Sequence, residues 1–166
     1  MTTAQYRVAV LTVSDKASRG ERVDTSGPAI REMLEAAGFS VVASAVTPDD
    51  PGEIAATLVL WCDGDAVDLA LTTGGTGFGP RDNTPEATMR VIERQASGVV
   101  EALRAAGREQ TPLAALSRGV AGIRRRTLIV NLPGSERAVR ENMAALLPML
   151  PHAILMLREG GEHSPA

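Results

Sequence analysis

The sequence predicts an α/β fold, a three-layer α/β/α sandwich built on a mostly parallel central sheet. Short β-branched runs bounded by turn residues, Arg7 to Val13, Val41 to Val46, Val67 to Thr73 and Thr127 to Leu132, alternate with segments of helical period. Strands separated by helices run mostly parallel, and a parallel sheet needs helices on both faces. The size agrees: 166 residues, 44% apolar and 22% charged, suit one soluble domain with a full core.

Taken in order, the first strand ends at Ser14-Asp15. A helix over Pro28 to Ala37 follows, begun at Ser26 or Gly27 ahead of Pro28 and stopped at Gly38. After the second strand comes Thr47-Pro48-Asp49-Asp50-Pro51-Gly52-Glu53. Asp50 precedes a proline at the first helical position and a glutamate at the third, which makes it the cap of the next helix. That helix carries Leu60-Trp61-Cys62, so Cys62 reads as a core thiol rather than a nucleophile. The third strand runs into a glycine-rich stretch, after which Thr84-Pro85-Glu86 opens another helix with Thr84 as its natural cap. Pro112 and Gly119 punctuate the region beyond, which holds a helix near Val99 to Ala106 and a shorter one around Leu113 to Ser117. Arg124-Arg125-Arg126 reads as a solvated turn before the fourth strand. The last helix begins at Ser135, with Val139, Met143, Leu146, Leu147 and Leu150 on one face. Pro148 and Pro151 break it, leaving a further helical piece near Ala153 to Arg158. Residues 1–159 make the domain, and the polar residues 160–166 a tail expected to be mobile.

Composition narrows the partners. Aromatic residues are 2% of the chain and the net charge is −3, which argues against stacking platforms and basic grooves for nucleic acid. Neither a secretory leader nor a membrane span is expected, since no apolar run is long enough. A single cysteine forms no intramolecular disulfide, and a cytoplasmic location fits. His152 and His163 supply no credible zinc site.

In parallel α/β sheets ligands bind beyond the carboxyl ends of the strands. Four turns share that edge here: Ser14-Asp15, Thr47-Pro48-Asp49, the glycine loop and Asn131-Leu132-Pro133-Gly134-Ser135. The glycine loop is the most informative, with Gly74, Gly75, Gly77 and Gly79 around Thr76, and Asp82 beyond. Glycines let backbone N–H groups approach an anion, and a helix N-terminus attracts one. No Lys-Ser or Lys-Thr follows, so this is not a Walker A loop, and Pro80 occupies the third glycine position of G-x-G-x-x-G. Phosphate charge must then meet backbone N–H groups, a metal ion or an arginine such as Arg81.

Asp82 is either a turn residue bonding its own backbone or a ligand for Mg²⁺ held with substrate phosphates. Asp49 either points into the crevice or faces solvent. The Asn131 to Ser135 corner is either a plain strand-to-helix junction capped by Ser135 or a second anion site. Ser14 and Asp15 are read the same way and ranked lower. Residue chemistry alone assigns no role to Ser117 or Arg118.

The string Leu-Thr-Thr-Gly-Gly-Thr-Gly-Phe-Gly-Pro-Arg-Asp-Asn-Thr-Pro-Glu-Ala-Thr from Leu71 to Thr88 resembles the signature of the MogA/MoaB family of molybdenum cofactor biosynthesis proteins, relatives of the gephyrin and Cnx G domains. Val10 to Ser18, Leu116 to Arg124 and Leu128 to Ser135 extend the resemblance over nearly the whole chain. It implies transfer of AMP from ATP to the terminal phosphate of molybdopterin, with Mg²⁺ and release of pyrophosphate. It also implies assembly as a homotrimer or hexamer and hand-over to the molybdenum-inserting enzyme of the pathway. By the same resemblance Asp49 and Asp82 are the catalytic and metal-holding aspartates. Ser14, Asp15, Thr73, Gly74, Gly75, Thr76, Gly77, Glu86, Ser117, Asn131, Pro133, Gly134 and Ser135 match substrate-binding positions. Asn83 stands where the family commonly has valine. Asn-Leu-Pro-Gly resembles the MogA type, whereas Pro-Gly-Ser and the short tail resemble MoaB chains, some of which bind molybdopterin without adenylating it.

Overall fold

The computed structural model describes residues 5–159; the expected polar tail, 160–166, lies outside them. Six strands form one sheet in the order β2-β1-β3-β6-β5-β4. The strands β1 (Arg7–Val13), β2 (Ser40–Thr47), β3 (Leu69–Thr73) and β6 (Thr127–Leu132) run parallel, as expected. Two strands were not foreseen: β4 (Arg94–Gln95) and β5 (Ala121–Arg124), which extend the sheet antiparallel beyond β6. Both are too short to show a period, and Gly122 interrupts the apolar pattern of β5.

The central strands alternate side chains between two cores. Val8, Val10, Leu69, Leu71, Leu128 and Val130 face one side. There they meet α2 (Ser26–Ala36), α5 (Ser97–Gln110), α6 (Glu136–Leu146) and α7 (Leu150–Glu159), through residues such as Ile30, Leu103, Met143 and Ile154. Leu11, Ala70 and Ile129 face the other side, against Ile54, Leu58 and Cys62 of α3 (Pro51–Asp63) and Ala87 and Val91 of α4 (Thr84–Val91). Strands buried on both faces explain why β1, β3 and β6 read as continuous apolar runs. Cys62 is a core thiol as predicted, and burial pushes its pKa up to about 11.

Helix starts follow the sequence with two corrections. Asp50 caps α3 by accepting the Glu53 N–H at 2.9 Å. Ser135 caps α6 through the Ala138 N–H. Thr84, in contrast, does not cap α4. Asn83 precedes that helix without a side-chain bond, and the buried Thr84 hydroxyl donates to the Gly74 carbonyl at 2.9 Å. A tertiary acceptor won over the local N–H groups. At α2 the missed device is Asp24, which accepts from the Gly27 N–H at 3.1 Å and from the Thr12 hydroxyl at 2.7 Å. Pro148 separates α6 from α7 by a 3₁₀ turn over Leu147–Met149.

At the far edge of the sheet Asp68, buried at 3% exposure, accepts from both Arg7 and Arg158. This triad ties α7 to the start of β1.

Candidate functional site

The four turns do converge, at the carboxyl ends of β1, β2, β3 and β6. Here Gly74 and Gly75 adopt φ of +96° and +67°, a region that side chains with a Cβ avoid. A Cβ on Gly74 would run into the Val13 carbonyl oxygen, and one on Gly75 into the Thr84 hydroxyl. The glycines therefore pack the loop against its neighbours as well as opening it to a ligand.

Asp82 fulfils its turn reading and keeps one carboxylate oxygen free of donors from the described residues. One oxygen, Oδ2, accepts the Gly79 N–H at 2.8 Å and closes the turn. No donor among the described residues reaches Oδ1, and Asp82 lines both of the clefts described below. Asp49 is half-buried and locked to Asp15 by a reciprocal pair. The Asp15 N–H donates to Asp49 Oδ2 at 2.8 Å, and the Asp49 N–H donates to Asp15 Oδ1 at 3.0 Å. Burial, together with the like charges of Asp15 and Asp82, pushes the Asp49 carboxyl up. Asp15 goes the opposite way. Arg81 binds it with two N–H groups at 2.6 and 2.9 Å and, with the Asp49 N–H, lowers its pKa to about 2. Arg81, named as a candidate anion partner, is thus engaged with Asp15.

Two clefts flank the glycine loop. The larger, about 490 Å³, has an apolar wall from Val100, Leu103 and Leu116 and polar groups from Thr76, Ser117 and Glu141. The smaller, about 370 Å³, is lined by Ser14, Asp24, Asp49 and Thr73. They share Gly75, Asp82, Gly134 and Ser135.

Several expected site residues turn out to be builders of this edge. Ser14 caps a four-residue helix, α1 (Asp15–Ser18), through the Ala17 N–H. The Thr73 hydroxyl donates to the Pro133 carbonyl at 2.7 Å and holds the two loops together. Asn131 is 3% exposed: its amide donates to Thr72 and Thr88, both at 2.9 Å, and its oxygen accepts the Val120 N–H. The side chain of Asn131 is therefore committed inside the protein. Asn131, Pro133, Gly134 and Ser135 all line the larger cleft. Glu86 pairs with Arg118, which also reaches the carbonyls of Gly77 and Asp82. Arg118 had no assigned role because its partners lie 32 to 41 residues upstream. Its adjacency to Ser117 in the family string was the one signal that pointed there.

Whether a metal fits can be read from the donor set. Mg²⁺ retains water and is usually held by one or two carboxylates plus substrate phosphates. Asp49 and Asp82 supply that pair beside one cleft. Among the described residues there is no cluster of three or more His, Cys, Asp or Glu able to hold a metal. A cation bound between these two carboxylates would relieve the charge crowding at Asp49.

An α/β sheet whose carboxyl edge carries a lysine-free glycine loop, several acidic side chains and two adjoining clefts has the form of a small-ligand-binding domain. The family comparison agrees: residues 9–152 match the probable molybdopterin binding domain. The chain belongs to that family, the MogA/MoaB proteins of molybdenum cofactor biosynthesis. Among solved structures, the molybdopterin biosynthesis enzyme MoaB from Thermus thermophilus is 52% identical, with a TM-score of 0.89 over 93% of this chain and 98% of that one. Molybdopterin adenylyltransferase of Helicobacter pylori (strain J99) is 39% identical over 149 residues, 89% of this chain and 85% of the relative. Molybdenum cofactor synthesis protein cinnamon of Drosophila melanogaster is 42% identical over 149 residues, 89% of this chain but 25% of its own length. The chain spans between about a fifth and a half of the first curated relatives it matches. Among the described residues no helix is long and apolar enough to cross a membrane.

Proposed function

We propose that this chain is a molybdopterin adenylyltransferase. A terminal phosphate oxygen of molybdopterin attacks the α-phosphorus of ATP, a new P–O–P bond forms, and the α–β bond breaks to release pyrophosphate. The observation that carries this reading is the meeting of two clefts along Gly75, Asp82, Gly134 and Ser135. Two bound anions would be brought together there, next to the carboxylate that both clefts share.

The nucleophile is a phosphate monoester with a second pKa of about 6, so it is largely ionised at pH 7 and needs no general base. The rate must come from positioning and from charge stabilisation, as in phosphoryl transfer generally. Backbone N–H groups of Gly75 to Gly77 serve as donors to phosphate oxygens. Asp49 and Asp82 would hold Mg²⁺; bound there, the ion would offset the repulsion between the two anions. Thr76, Ser117, Pro133, Gly134 and Ser135 shape the clefts, while Ser14, Asp15, Thr73, Glu86 and Asn131 support the loops that form them. On the strength of the family resemblance, the same reading includes assembly as a homotrimer or hexamer in the cytoplasm and hand-over of adenylylated molybdopterin to the molybdenum-inserting enzyme.

The deciding assay mixes ATP, Mg²⁺ and molybdopterin and measures adenylylated molybdopterin and pyrophosphate. Asp82→Asn is expected to lower turnover far more than molybdopterin affinity, because the lost charge matters most when the phosphates meet. Unchanged AMP transfer in that variant would remove Asp82 from the mechanism. Molybdopterin binding without any transfer by the wild-type chain would make it a binding protein instead.

A further inference from the structure

We infer that Arg118 is a positioning residue that presents the glycine-loop N–H groups to phosphate. The inference rests on the adenylyltransferase reading for its kinetic test and on the loop geometry alone for its binding test. Arg118 lines neither of these clefts but a more open hollow with Phe78, Gly79, Asp82, Asn83 and Glu86, while Gly75, Thr76 and Gly77 line the larger cleft. Its backbone N–H donates to the Thr76 carbonyl at 2.8 Å. Nε–H donates to the Gly77 carbonyl at 2.8 Å, and Nη2–H to the Asp82 carbonyl at 2.6 Å. Glu86, in the first turn of α4, pairs with the guanidinium from the far side. One residue therefore grips the middle of the loop, its end and the helix that follows.

The consequence follows from peptide geometry. In a trans peptide the C=O and the next N–H point in opposite directions. With the Thr76 and Gly77 carbonyls drawn to Arg118, the N–H groups of Gly77 and Phe78 are turned away from it. Among the described residues, the N–H groups of Gly75, Thr76, Gly77 and Phe78 have no acceptor. The Thr76 carbonyl stays with the Arg118 backbone N–H whatever the side chain, but without the guanidinium the Gly77–Phe78 peptide loses its anchor and can turn its carbonyl oxygen towards the anion instead. Lysine is no substitute, because a single ammonium lacks the planar fork that meets three acceptors along separate directions.

The full chain, as wild type, Arg118→Ala and Arg118→Lys, tests this. AMP transfer is measured with and without added guanidinium, and binding of inorganic pyrophosphate by calorimetry. Arg118→Ala should lower kcat by about 100-fold, the scale of a misplaced catalytic constellation, with a smaller change in KM. Guanidinium should restore part of that rate and leave the wild type unaffected. Arg118→Lys should remain well below wild type, and it decides the matter if the alanine variant fails to fold. Pyrophosphate binding should weaken by about tenfold in Arg118→Ala, the loss of about one hydrogen bond. Wild-type kcat/KM in either folded variant would overturn the inference. If the wild type transfers no AMP, the functional reading fails on its own and pyrophosphate decides. Weaker binding by the variants would then sustain the inference; equal binding, or none by the wild type, would overturn it.

Discussion

The most constrained residues of the site are glycines whose hydrogen atoms stand where any side chain would collide. Gly74 combines φ of +96° with a path blocked by the Val13 carbonyl. Gly74→Ala is therefore expected to cost at least about 1–2 kcal/mol from the backbone alone, with the collision added. Chemical denaturation should register it, and a wild-type midpoint would refute the packing argument. Asp49 and Asp82 were recognisable as acids of interest from their positions beside the turns. What their neighbours do to them was not recognisable. The Asp15–Arg81 pair that holds Asp15 low, and the Asp15 N–H that fixes Asp49, join residues 66 and 34 positions apart. Asn131, on the wall of the larger cleft, carries bonds that its sequence did not show. Its place in a binding-loop string suggested a ligand contact, and its amide organises Thr72, Thr88 and Val120 in the interior.

Among elements, helix starts were legible wherever the cap is local. Asp50-Pro51-Gly52-Glu53 encodes its own N-terminus, and the structure uses Asp50 as its sequence indicates. Asp50→Ala should lower stability by about 0.5–2 kcal/mol while leaving AMP transfer at the wild-type rate, since Asp50 lines neither cleft. Thermal melts and the transfer assay on one preparation check both halves. A large loss of activity would show that the cap also positions Asp49. Thr84 looked equally local but gave its hydroxyl to Gly74: it stands inside the first turn, with Asn83 ahead of the helix, and a buried carbonyl left without a donor is costly. The β4–β5 pair was invisible for another reason. Two and four residues carry too little alternation, and the pairing with β6 is what holds them extended.

For the molecule as a whole, the clearest electrostatic prediction concerns Asp68. Burial would raise its pKa, but Arg158 and Arg7 outweigh burial and hold the carboxyl well below the usual range. A carboxyl depressed in the folded state adds stability that is present above its unfolded pKa, near 3.8, and is lost as pH falls towards the folded value. Acid unfolding should therefore steepen below about pH 4, and Asp68→Asn should flatten that limb. At neutral pH the same variant should lose about 1.5–3 kcal/mol, the scale of a hydrogen bond to a charged group, and loosen α7. An unchanged acid limb in the variant would place the transition elsewhere. At this scale the sequence by itself determined the class of fold, the order of its main strands and helices, and the edge where the four turns meet. Those features follow from period and turn chemistry, both of which act over short stretches of chain. Only the tertiary structure decided that two clefts meet at Asp82, that Asn131 points inward, and that Arg118 grips the glycine loop. Each of these depends on groups brought together from distant parts of the chain, where a hydrogen bond is set by packing and leaves no local pattern to read.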